Sequence, residues 1–339
     1  NLKVSDFRYI IFNYVISYIL NKKIISTINK NNMGIKDSLY KAQTIGNIEP
    51  IEYMIPYPSI QAILEGQIIK YGNDIVFKDY NITNIEFYEL IQKSSHWLSK
   101  QGISPKDNVV IEESSFLNSI LMLYGLWNLG ARAIFLEFPD LEIDKSIKAK
   151  KLDYNYNLIN EIKSFPSKFI PKYKALLNEN AVISISKINT LFFSHYGLLV
   201  NANSLQKGLN LYSNTKFYCD LEPNSSFWVV LCAILPVFSM CTFSSKNQSI
   251  ILTYDNIMPQ EGFRLRKDWE NIEEFSTHEL GLCEENSAVF SIGKEPLHLT
   301  DFKINNNELW LKGHSLMNGY LNKDLMTFKE DYLIIKNKN

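Results

Sequence analysis

The sequence predicts an α/β protein built from two βα subdomains and a small terminal β region. Three observations predict it. From residue 51 onward, short β-branched and aromatic runs alternate with stretches of helical spacing. The helical stretches close on glycines, Gly102 and Gly130, which tolerate the left-handed turn that ends a helix. The chain of 339 residues is long enough for two cores.

The elements follow in order. Residues 60–69 carry apolar side chains at helical spacing, and 75–78 read as a short strand. The turn chemistry of 81–84 precedes a helix through Phe87-Tyr88-Glu89-Leu90 that ends at Gly102. A βαβ unit comes next: strand 108–111, helix 116–129 closed by Gly130, and strand 131–136 with Pro139 behind it. Residues 140–180 are polar and irregular, with Pro166 and Pro171. Strand 181–186, helix 196–211, a buried helix over 227–238 and strand 249–253 restore α/β order. Residues 308–312 and 332–335 read as antiparallel strands. The expected organisation is a helical extension over 1–50, a first α/β subdomain over 51–145, an irregular crossing over 146–180, a second α/β subdomain over 181–300 and a β-rich segment over 301–339.

Composition removes several function classes. With 46% hydrophobic and 21% charged residues and a net charge of −1, the chain is ordinary globular material with no field to attract nucleic acid. The four cysteines, Cys219, Cys232, Cys241 and Cys283, form no CxxC pair, so they read as buried thiols in a reducing, cytoplasmic setting. The apolar run 7–20 contains Arg8, Asn13 and Ser17 and falls short of the ~20 residues needed to span a bilayer. It reads as a helix packed on the body. The five histidines, His96, His195, His278, His298 and His314, lack metal spacing, and GxSxG, HExxH, GxGxxG and GxxxxGK[ST] are all missing from the sequence.

The closing segment is specific. Glu308-Leu309-Trp310-Leu311-Lys312-Gly313, then Gly319-Tyr320-Leu321-Asn322 and Thr327, resembles the "GELW-x-K/R-G…GYLN…T" motif of the adenylate-forming (AMP-binding) superfamily. That superfamily includes acyl- and aryl-CoA synthetases, luciferases and peptide-synthetase adenylation domains. The order of elements over 75–140 is similar to its N-terminal region. The resemblance spans roughly 51–337 and implies that fold, shortened by internal deletions and without the C-terminal lid subdomain and its catalytic Lys.

The resemblance also implies where sites should lie. A glycine-rich phosphate loop is expected between Ala181-Val182-Ile183-Ser184 and Leu191-Phe192-Phe193-Ser194-His195, yet only Ile185-Ser186-Lys187-Ile188-Asn189-Thr190 lies there, with no glycine. Ser186, Lys187 and Thr190 are the vestigial nucleotide candidates. His195 matches the family His beside the carboxylate pocket. Phe275-Ser276-Thr277-His278-Glu279 stands for Tyr-Gly-x-Thr-Glu, making Phe275 and Thr277 pocket candidates and Glu279 the lone magnesium candidate. Asn337 stands where the ribose-binding Asp would be, and an amide lacks the carboxylate's bidentate acceptance. The stretch 253–274 is too short for the family's adenine wall. The expectation is a pseudoenzyme with no catalytic residue and no cofactor. It would act by binding an acyl or aryl carboxylate, an acyl carrier protein or a related synthetase. The alternative is an ATP- and Mg²⁺-dependent acid–thiol ligase completed by a C-terminal domain or second subunit.

Overall fold

The computed structural model describes residues 34–336 other than 58, 113, 153–156, 214 and 256–261. The expected helix over 7–20 and the Asn337 position lie outside the described residues.

Three sheets carry the fold. The first has six strands in the order Gly319–Tyr320, Thr190–Ser194, Asn180–Ile185, Arg132–Leu136, Asn108–Val110 and Ala149–Lys150, with the middle ones parallel. Its centre is the predicted βαβ unit. Helix Phe116–Leu129 matches its expected bounds, capped by Ser115 at its start and by Gly130 in the left-handed region (φ 82°) at its end. The crossing segment contributes structure of its own: Ala149–Lys150 adds an edge strand and Leu158–Ile162 a helical turn.

The second sheet has nine strands, and its parallel centre runs Glu279–Leu282, Gly262–Arg266, Ile250–Thr253 and Lys216–Cys219. Only Ile250–Thr253 of these four was legible as a strand. The others are short and carry Arg, Lys or Gly inside, so alternation does not identify them. The third sheet pairs Thr300–Asn305, Glu308–Gly313, Tyr332–Lys336 and Thr327–Lys329 in antiparallel fashion, as the β-rich ending predicts.

Buried helices fill the space between the two large sheets. The apolar run around Trp228 is helical from Ser226 to Phe238 and buried throughout, as expected. Val229–Ile234 widens into a π-helical turn just before Pro236, which has no N–H to donate. Tyr124 Oη donates to Ala233 O at 2.9 Å and Trp127 Nε1 to Ala181 O at 3.0 Å, tying helix Phe116–Leu129 to its neighbours. Gly125 lets helix Asn84–Lys100 approach closely, since a Cβ there would meet Ser94 Oγ at 2.5 Å. All four cysteines are buried free thiols. Among the described residues, no helix is long and apolar enough to cross a membrane.

Candidate functional site

Parallel strands collect functional side chains at their carboxyl ends, where the chain leaves the sheet and backbone groups open towards solvent. Both large sheets obey this, and their ends meet. Glu137 follows Arg132–Leu136, Ser186 follows Asn180–Ile185, Asp220 follows Lys216–Cys219, Tyr254 follows Ile250–Thr253, and Lys267 follows Gly262–Arg266. Glu284 comes two residues after Glu279–Leu282. Together with Phe138 and Phe227 they line a cleft of about 440 Å³. A second lobe of about 310 Å³ shares Glu137, Ser186, Phe227, Lys267 and Glu284 and extends to Ile335 and Lys336.

The main lobe is acidic. Glu137, Asp220, Glu222 and Glu284 face one cation, Lys267, whose Nζ lies 5.1 Å from the Phe227 ring and 5.5 Å from the Tyr254 ring. Asp220 accepts from Thr253 Oγ1 at 2.6 Å, and Glu284 accepts from Ser184 Oγ. Burial raises the Glu284 carboxyl to about 7, more than the Ser184 hydrogen bond and nearby Lys267 can offset. Glu285 lines the second lobe, accepting from Tyr320 Oη at 2.6 Å and Cys283 Sγ at 3.1 Å.

At the place expected for a phosphate loop, the chain makes a tight turn satisfied from within. Ser186 Oγ accepts from Ile188 N at 3.3 Å and Asn189 N at 3.1 Å, while Ser186 N donates to Asn189 O at 2.9 Å. Lys187 N donates to Glu137 Oε2 at 3.2 Å. The Lys187 ammonium rests 4.4 Å from the Phe138 ring, and Thr190 pairs with Ile185 across the hairpin. The cleft therefore brings Ser186 and Lys187 to the junction, with three successive N–H groups already committed.

The other expected residues lie elsewhere. Glu279 begins its strand, at the end away from Glu284, and is held by Arg266 Nη1 at 2.8 Å, Arg264 Nη1 at 3.6 Å and Ser276 N at 2.7 Å. Burial pushes its carboxyl up, but Arg266 and the Ser276 N–H outweigh this and hold it below the usual range. Both of its oxygens are thus engaged, one by the two guanidinium groups and the other by the Ser276 N–H. Phe275 is buried under the Arg266 guanidinium, 4.4 Å from its ring, and Thr277 is exposed beside His278. None of the three lines the cleft. Gly281-Leu282-Cys283-Glu284 repeats the Gly-x-Thr-Glu spacing with Cys in place of Thr, and its Glu is the one that does. That register shift of five residues was the available signal for Glu284.

His195 stands at the opposite end of strand Thr190–Ser194 from the turn. It opens helix His195–Gly208, where Ser194 Oγ caps Gly197 N at 3.0 Å and His195 N donates to Glu179 O at 3.1 Å. Its ring is 6% exposed, meets Trp127 edge-on at 6.0 Å, and its Nε2 has no hydrogen-bond partner among the described residues. Burial, with Arg132 adding repulsion, lowers its pKa to about 4, so the imidazole is neutral at physiological pH. The ring lines a separate cavity of about 360 Å³ that shares no residue with the cleft.

No family-level sequence model matches the chain, and neither does any curated protein. Solved structures match it in shape. The crystal structure of the anthranilate CoA ligase AuaEII in complex with anthranoyl-AMP gives a TM-score of 0.64 at 12% identity, covering 83% of this chain and 74% of that one. Apo MatB from Rhodopseudomonas palustris gives 0.64 at 10% identity, covering 80% and 74%. Unliganded O-succinylbenzoate Coenzyme A synthetase (MenE) from Bacillus subtilis gives 0.62 at 12% identity, covering 80% and 75%. The likeness is one of fold: the chain has the N-terminal fold of the adenylate-forming enzymes.

Proposed function

We propose that the protein is a non-adenylating member of this fold class that acts by binding, with an acyl or aryl carboxylate, a carrier protein or a related synthetase as its partner. One observation carries the reading. The N–H groups of Lys187, Ile188 and Asn189, which a phosphate loop would turn towards an anion, donate instead to Glu137 and Ser186. The cleft around them adds Glu137, Asp220, Glu222 and Glu284, so a triphosphate would meet carboxylates where it needs donors. Phosphoryl-type chemistry rests on positioning and charge stabilisation, and losing a single such donor costs on the order of 10²–10³ in rate.

A second reading draws on Glu284. A carboxylate at the Gly-x-x-Glu position of the cleft is what a magnesium-dependent ligase would need, and the neighbours in shape are CoA ligases and synthetases. Calorimetric titration with Mg·ATP and with AMP separates the two, because binding reports on the cleft whatever domain completes the catalyst. The proposal expects no saturable heat from either. Saturable Mg·ATP binding that weakens in Glu284→Gln would overturn it in favour of the ligase.

A further inference from the structure

Buried polar atoms nearly always find a partner, because leaving one unmade costs about 1–3 kcal/mol. The cavity beside His195 breaks that rule once. His195 Nε2 has no partner among the described residues, while Asn128, 7% exposed, donates its Nδ2 to Ser95 Oγ at 2.8 Å and has an Oδ1 that is not fully buried and is hydrogen-bonded to no described residue. Both side chains line the same 360 Å³ space, whose walls include Tyr124, Trp127 and Tyr173. The ring atoms of Tyr124 and Trp127 are fixed by hydrogen bonds to backbone carbonyls, so the walls are rigid and planar. His195 presents a neutral imidazole, since it stays uncharged until well below physiological pH, and the charged residues of the lining are Glu65 and Lys174.

We infer that this cavity is a binding site for a small planar aromatic molecule carrying one hydrogen-bond donor, such as a phenol O–H or an indole N–H, which meets the unmatched acceptors of His195 and Asn128. A neutral donor suits the uncharged imidazole, which offers no opposite charge to an ion stripped of its hydration beside it. Aromatic walls favour a flat ring over a puckered one of equal size through offset and edge contacts. The site lies at the other end of the sheet from the cleft, so its ligand binds whether or not the cleft takes ATP.

The test is titration of the purified chain with phenol, indole, toluene and cyclohexanol, followed by tryptophan fluorescence and calorimetry. Phenol and indole should bind saturably. Toluene, which lacks the donor, and cyclohexanol, which lacks the plane, should each bind about tenfold or more weakly. His195→Leu should weaken phenol about tenfold while leaving toluene unchanged, and Ala62→Trp, which fills the cavity from helix Ile60–Tyr71, should abolish both. If phenol and indole give no saturable binding, or if they bind both variants as they bind the parent, the inference is wrong. A His195→Leu protein that gains thermal stability without losing phenol binding would make the unpaired nitrogen a structural orphan and overturn it equally.

Discussion

The two ends of the six-stranded sheet make opposite environments from one hairpin. At the carboxyl ends, Glu137, Asp220, Glu222 and Glu284 gather around Lys267, and every N–H of the Ser186 turn that could greet an anion is already taken. At the other end, five residues on from Thr190, His195 is neutral, walled by aromatic rings and short of a partner at Nε2. At the fold's usual ligand end the N–H groups of the turn are thus satisfied from within, while the end that usually only stabilises holds unmet hydrogen-bonding capacity. The difference shows that a fold fixes where strands end, and side chains decide what each end offers a ligand.

Breaking the aromatic wall should have the largest effect. Trp127→Ala removes a ring that is 6% exposed together with its bond to Ala181 O, and should cost about 3–5 kcal/mol in urea unfolding. By comparison, Phe138→Ala, at the exposed lip of the cleft, should cost well under 1 kcal/mol.

The pH dependence sharpens the contrast because the two ends carry opposite signs. The folded value of Glu284, about 7, lies above its unfolded value of 4.5, so its contribution to stability is lost as pH rises from 4.5 to 7. The folded value of His195, about 4, lies below its unfolded 6.5, so its contribution is lost as pH falls from 6.5 to 4. In the parent the two slopes oppose each other over the shared window. Glu284→Gln should leave stability rising more steeply with pH between 4.5 and 6.5 than in the parent, with a gain of roughly 1–3 kcal/mol at pH 8. His195→Leu should shift the slope the other way. Chemical denaturation at several pH values checks both, and equal slopes in all three proteins would remove the electrostatic contrast. The smallest effect belongs to Lys187→Ala, an exposed cation on Phe138, which should change stability by less than about 1 kcal/mol and leave Mg·ATP titrations as silent as before.

Much of the fold was legible in the sequence, the site much less so. Helix Phe116–Leu129 was readable to the residue because Gly130 stops it and its apolar face is continuous; the strands of the βαβ unit were readable within a residue or two. Strands Lys216–Cys219 and Gly262–Arg266 were not, since four or five residues with interspersed cations carry no period. The short link at 185–190 foretold the tight turn that is found there. The acidic cleft was invisible because its residues are single positions after separate strands and become neighbours only when two sheets meet. For the same reason the sequence could not show that His195, eight positions from Lys187 and nine from Ser186, stands at the opposite end of a strand from them.

The most direct measurement is a crystal structure determined after joint soaking with Mg·ATP and phenol. The account predicts phenol against His195 and Asn128 and no nucleotide at Glu284. Nucleotide seated in the cleft, with the Ser186 turn opened to its phosphates and the His195 cavity empty, would contradict it.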